Sequence, residues 1–151
     1  MSQATKQTTR AHRAAPWVAR ALVAAVFAIN VQCALQFIVA PAAFAPAYQV
    51  EGPGALAFVQ TVGILFLMWN AAYLPVIAQP GRHRACFAVI LAQQALGLAG
   101  ETALRAGMGP DLAALSASIA RFIAFDAAGL VLLAVAFFVS LPQHPQMKGR
   151  L

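Results

Sequence analysis

The chain reads as an all-α protein, a four-transmembrane-helix bundle with antiparallel, up-down-up-down connectivity. Three observations predict it. Of its 151 residues, 62% are hydrophobic and only 9% are charged, against about a quarter charged in an ordinary soluble domain. Four apolar stretches each reach the ~20 residues that cross ~30 Å of hydrocarbon. The basic residues cluster between those stretches in the manner that sets membrane topology. Lipid offers backbone groups no water, so helices are the expected solution for all four.

The first stretch, Trp17 to Ala40, opens just after Pro16, where a missing N–H costs little. Residues 1–15, rich in Thr, Gln and basic side chains, read as a disordered cytoplasmic tail. Ala40-Pro41-Ala42 imitates a signal-peptide cleavage site, but the stretch is too long for a signal core. It also carries Asn30, Gln32 and Gln36, so it reads as a retained span. The connection from Pro41 to Gly54 holds three prolines with Phe44 and Tyr48. It is too apolar for a free loop. An interfacial connector is expected, with a lid over the bundle mouth as the alternative.

The second stretch, Ala55 to Ala78, is closed by Gln79-Pro80-Gly81. Pro75 frees a carbonyl near Ala71, which predicts a kink. The third, Ala85 to Ala106, is closed by Gly107-Met108-Gly109-Pro110. The fourth lies within Leu112 to Leu141, with Asp111 as its expected N-cap and Pro142 beyond it. The transmembrane domain is thus drawn at 16–142, followed by a C-terminal cytoplasmic tail, 143–151.

Lys6, Arg10, Arg13 and Arg20 precede the first stretch, Arg82 and Arg84 fill the second loop, and Lys148 and Arg150 lie beyond the fourth. After four crossings these share one side, leaving Arg105 and Arg121 on the other. The positive-inside rule then places both termini in the cytoplasm, and the expected location is the bacterial cytoplasmic membrane. The net charge of +6 is explained by these flanks and does not indicate nucleic-acid binding. Cys33 and Cys86 sit at different depths and are expected to be free thiols.

All four carboxylates, Glu51, Glu101, Asp111 and Asp126, fall toward the outer side. At 1.5 Å per residue, Glu101 and Asp126 come to rest about 22–24 Å above the cytoplasmic helix ends, with Gln36 and Gln60 at about 27–28 Å. Intramembrane charges tend to face the bundle interior and find partners. Glu101 and Arg105 are spaced to pair at i,i+4. Asp126 is expected to reach Arg105, Gln36 or Gln60, and Arg121 either to snorkel or to meet Glu101. Deeper down, Asn70 and Gln94 lie at matching heights and are expected to bond across helices, with Trp69 and Tyr73 beside them. Gly63, Gly97 and Gly100 permit close helix approach. The candidate ligand-binding set is therefore Glu101, Asp126, Arg105, Arg121, Gln36, Gln60, Asn70, Gln94, Trp69 and Tyr73. Interhelical glue is the plain structural role for the amides among them.

Within the spans there is no histidine, which excludes bis-histidine haem. No metal-ligand spacing and no CxxC, HExxH, GxSxG or P-loop occurs. No cofactor or metal is expected, and no catalytic residue is assigned.

The string Leu65-Phe66-Leu67-Met68-Trp69-Asn70, followed by Gln94 and Gly100-Glu101, resembles an uncharacterised family of small bacterial membrane proteins, and the layout resembles the DoxX-like type. That resemblance implies a four-helix integral membrane fold and no established activity. DoxX-like proteins are often linked to redox settings, for which this chain has no cofactor motif.

The expected function is binding, of a small lipophilic molecule or of a partner membrane subunit, through the outer polar cluster. The expected partners are the lipid bilayer, such a ligand, and a partner subunit or a second copy of the chain. Two alternatives stay open. One is a proton-linked transporter or channel subunit. The other is a small isomerase-type enzyme using Glu101 and Asp126 as acid and base.

Overall fold

A computed structural model describes the backbone of residues 3–141 and the side chains of residues 15–141. It contains five α-helices: α1 (Gln3–Val39), α2 (Pro53–Asn70), α3 (Tyr73–Ala78), α4 (Arg84–Ala106) and α5 (Ala113–Val139). Four segments are long and apolar enough to cross a membrane: Ala15–Val39, Pro53–Ala78, Arg84–Ala106 and Pro110–Val139. The chain is a multi-pass membrane protein with the four-helix antiparallel architecture expected from its sequence.

The ends of the helices depart from expectation in two places. The helical backbone starts at Gln3, so Pro16 lies inside α1 and residues 3–15 are not the irregular tail drawn from composition. Their Ala, Gln, Arg and Lys residues are good helix formers, and the span below supplies a nucleus to extend. Asp111 does not cap α5. It sits in a short 3₁₀ turn, Pro110–Leu112, and Leu112 takes the cap position without a side-chain bond. The tail drawn at 143–151 lies outside the described residues.

Pro75 acts as expected. The second span breaks at Ala71–Ala72, where the Ala71 N–H turns to the Met68 carbonyl at 3.2 Å, and restarts as α3. The break divides the neighbours of this span. Helix α3 packs on α1 and α4, whereas α2 packs on α1 and has no packed interface with α4. Helix α5 closes the ring by packing on both α1 and α4.

The end carrying Arg20, Arg82 and Arg84 is the basic end; the opposite end is distal. Toward the basic end Val23, Tyr73, Val76, Phe87, Ile90 and Leu133 form a fully buried core. The Phe87 and Phe137 rings meet edge to face at 5.2 Å. Arg20 donates to the carbonyl of Ala78, the last residue of α3, and lies 4.8 Å above the Trp17 ring. A basic group at a helix C-terminus satisfies a carbonyl that the helix leaves free. Outward-facing Leu65, Met68, Leu96, Val131 and Phe138 stay exposed and face the hydrocarbon.

The first connection folds inward at the distal end. Pro41–Ala43 and Ala45–Tyr48 form two 3₁₀ turns, each with proline in its first positions. Phe44 and Tyr48 then pack against Phe37 of α1, at 4.7 and 5.9 Å between ring centres. Gln49 ends the second turn with φ of 52°, an uncommon conformation for a residue with a side chain. Its side chain holds it there. Nε2 donates to the Asp111 carbonyl at 2.9 Å, and Oε1 accepts from the Leu115 N–H at 3.0 Å. The loop is thus clasped to the start of α5, across the bundle mouth.

Candidate functional site: a polar-lined cavity in the distal half

Because α2 leans away from α4, the distal half contains a cavity of about 400 Å³. Every crossing contributes to its wall. Helix α1 supplies Asn30, Cys33 and Phe37, spaced i, i+3, i+7; α2 supplies Phe66, Trp69 and Asn70. From α4 come Gln93, Gln94, Gly97 and Glu101, and from α5 Ser118, Phe122, Phe125 and Asp126. Each set falls on one face of its helix, since residues three, four and seven apart align. Phe44, Ala47 and Tyr48 of the clasped loop close the top. The roof reading of this loop, the less favoured one from sequence, is the arrangement found.

The floor is a hydrogen-bonded chain. The Tyr73 hydroxyl, fully buried, donates to Gln94 Oε1 at 3.2 Å. Gln94 Nε2 donates to Asp126 Oδ1 at 2.8 Å. These two bonds fix which end of the Gln94 amide is which. Two glycines make the chain sterically feasible. A Cβ on Gly97 would meet Asp126 Oδ2 at 2.8 Å, and a Cβ on Gly129 would meet Gln94 Nε2 at 2.9 Å. Each helix therefore offers a side-chain-free notch to the polar residue of the other. Gly63 plays a different part. A Cβ there would meet the Ala34 carbonyl oxygen at 2.7 Å, so this glycine lets α2 approach α1.

Above the floor the polar atoms are left unmatched. Asn70, only 4% exposed, donates from Nδ2 to the Phe66 carbonyl of its own helix at 2.7 Å, and its Oδ1 has no partner. Glu101 Oε2 and Gln93 Oε1 are likewise buried without partners. Glu101 stands one turn beyond Gly97 on the same face of α4, so its carboxyl opens into the space that Asp126 enters. In the loop above, burial pushes the Tyr48 phenol up to about 12, so it stays a neutral donor.

Six of the ten residues singled out from sequence come together here: Glu101, Asp126, Asn70, Gln94, Trp69 and Tyr73, the last as the donor beneath the cavity. Arg121 borders the cavity from an exposed position. Arg105, Gln36 and Gln60 do not join them. Arg105 is exposed, and the expected ion pair does not close on Glu101 Oε2, which lacks a donor. Gln36 is exposed, and Gln60 is also exposed and donates to the Ile38 carbonyl. Helix rise sets the height of these three side chains but not the direction in which they point. Asp126 bonds Gln94 rather than Arg105, Gln36 or Gln60, and Asn70 bonds its own helix rather than Gln94. Gly100 faces open space and brings no helices together.

The residues missed are the aromatic wall, Ser118, Gln49 and Gly129. Stepping by three, four and eight from Asp126 would have found Gly129, Phe122 and Ser118. Nothing in the local sequence marks Gln49. Cys33 and Cys86 are free, and only Cys33 borders the cavity. Among the described residues no group of three His, Cys, Asp or Glu is placed to hold a metal ion. No protein-family model matches the chain, and no curated protein or solved structure matches it either, so these comparisons do not bear on the DoxX-like resemblance.

Proposed function

We propose that the chain binds a small lipophilic molecule in the distal cavity, as a protein of the bacterial cytoplasmic membrane with both termini in the cytoplasm. The uneven placement of basic residues supports that orientation. The observation that carries the binding reading is the cavity itself. Small-molecule sites are mostly apolar concavities of ~300–1,000 Å³ with a few convergent polar groups. Here aromatic walls from three helices and the loop surround Asn70, Glu101 and Asp126. A bundle that used these groups only as glue would have them paired with one another. Instead Asn70 Oδ1 and Glu101 Oε2 are left unmatched, at a cost that a bound molecule would offset.

The transporter reading gains less support, because the basic-end half is packed shut around Tyr73, Phe87 and Leu133. Occupancy tests the proposal. The full chain and Cys33→Phe, which places a ring in the cavity, are isolated in native lipid and their small molecules compared by mass spectrometry. A lipophilic species retained by the wild type and lost from the equally helical variant is expected. Identical small-molecule content in both would refute binding at this site.

A further inference from the structure

Resting on that reading, we infer that the molecule bound is a lipophilic organic cation, an ammonium-type head on an apolar body. The lining dictates the head. The three buried side-chain atoms without partners that border the cavity, Asn70 Oδ1, Glu101 Oε2 and Gln93 Oε1, are all acceptors. The Asn70 oxygen is the firmest of these, since its amide nitrogen is committed to the Phe66 carbonyl and the residue is 4% exposed. A ligand that matches them must donate or carry positive charge, not accept. A carbonyl head would leave these three oxygens unmatched.

The carboxyl groups narrow this further. Glu101 and Asp126 enter one apolar space from adjacent helices, and the only donor on Asp126 Oδ1 is the neutral Gln94 amide. Arg121, the one basic side chain bordering the cavity among the described residues, is exposed, and Glu101 Oε2 receives nothing from it. Carboxylates at this depth stay charged only beside a cation and otherwise take up a proton. Among the described residues no side-chain cation bonds either carboxyl, so a cationic ligand is the partner that lets them stay charged.

The walls suit the same head. Phe37, Phe66 and Phe122, from α1, α2 and α5, have ring centres 6.0–6.4 Å apart, and Tyr48 stands 5.9 Å from Phe37. These rings pack on one another, so the head would meet the cavity-facing side of the cluster, and aromatic faces attract cations within ~6 Å. The gap between α2 and α4, bordered by Trp69 and Gln93, gives the apolar body a way in from the membrane.

The test compares two probes that share an apolar chain: dodecyltrimethylammonium and 1-dodecanol. The full chain carrying Trp17→Phe is placed in lipid nanodiscs, so that Trp69, at the cavity wall, is the only fluorophore of its kind. Saturable change in Trp69 emission is read for each probe. The cation is expected to bind at least ~10-fold tighter than the alcohol, a difference of ~1.4 kcal/mol. Glu101→Gln together with Asp126→Asn should abolish that preference, chiefly by weakening the cation. Both substitutions are isosteric, and Asp126→Asn keeps an oxygen for Gln94, so folding is retained. Equal or tighter binding of the alcohol, or a cation affinity unmoved by the double variant, would overturn the cation assignment while the binding reading stands. No saturable response to either probe would overturn both.

Discussion

The two halves of this bundle are built from similar residues and differ in what they enclose. Toward the basic end, α1, α3, α4 and α5 interlock around Tyr73, Phe87, Ile90 and Leu133, all fully buried. Toward the distal end, Phe37, Ala45, Ala55 and Val59 form a smaller core with Phe44, Phe66 and Phe122 packed on it, and because α2 stands off from α4 these aromatics also wall a cavity. The division falls at one residue. Pro75 cannot donate within the second span, the helix breaks above it, and the two pieces lean against different neighbours. The missing backbone donor at Pro75 thus marks where the closed half gives way to the half that holds a cavity.

Removing one large side chain from each half should separate the two most strongly. Phe87→Ala should cost about 3 kcal/mol or more, because its surroundings cannot collapse into the space left. Trp69→Ala, 40% exposed at the cavity wall, should cost less than ~1 kcal/mol. Reversible unfolding in mixed micelles measures both, and equal losses would mean that the distal half is packed like the other.

Glycines sharpen it next. Gly63→Ala presses on the backbone carbonyl of Ala34 and forces α1 and α2 apart, for about 1–3 kcal/mol. Gly97→Ala meets only the end of the Asp126 side chain, which can swing into the cavity, so about 1 kcal/mol or less is expected. Gly100→Ala meets nothing and should be neutral or stabilising. The ranking, read from the same unfolding assay, is the prediction.

A smaller effect is expected on the floor of the cavity. A double-mutant cycle on Tyr73→Phe and Gln94→Leu should give a coupling near ~0.6 kcal/mol, the usual worth of an interhelical bond in lipid. No coupling would remove Gln94 from its place between Tyr73 and Asp126.

The smallest effect concerns the roof. The folded-state Tyr48 phenol is raised to about 12, from 10.0 when unfolded. Its contribution to stability is fully present below about pH 10 and is lost as pH rises through about 12. Wild type should therefore lose stability relative to Tyr48→Phe across that alkaline window in pH-dependent melting. A constant difference would mean that the loop leaves Tyr48 in water.

The architecture was legible because its causes are local. Span length, flanking arginines and Pro75 each act within a few residues of themselves. Depth was legible only in part: helix rise set Asp126 well above Gln94, whereas the two side chains bond directly. That arithmetic brought Glu101 and Asp126 to one level. Azimuth was not legible from height. Gln36 and Gln60 sit at plausible depths and turn outward, because no charge forces an amide inward and a carbonyl on the neighbouring helix suffices for Gln60. Spacing alone puts Glu101, Gly97 and Gln94 on one face of α4, and the same step from Asp126 reaches Phe122 and Gly129, a face left unread. The Gln49 clasp joins residues more than sixty positions apart, and a pairing at that separation leaves no mark in either local sequence.

Density for the protein in a lipid bilayer, read at the level of α2 and α4, decides whether the distal half is a binding site. The two helices should stand apart above Pro75, with the carboxyl groups of Glu101 and Asp126 both facing the space between and density for a bound molecule beside them. Trp69 packed directly on Gln93, or a Glu101 carboxyl turned to the acyl chains, would contradict it.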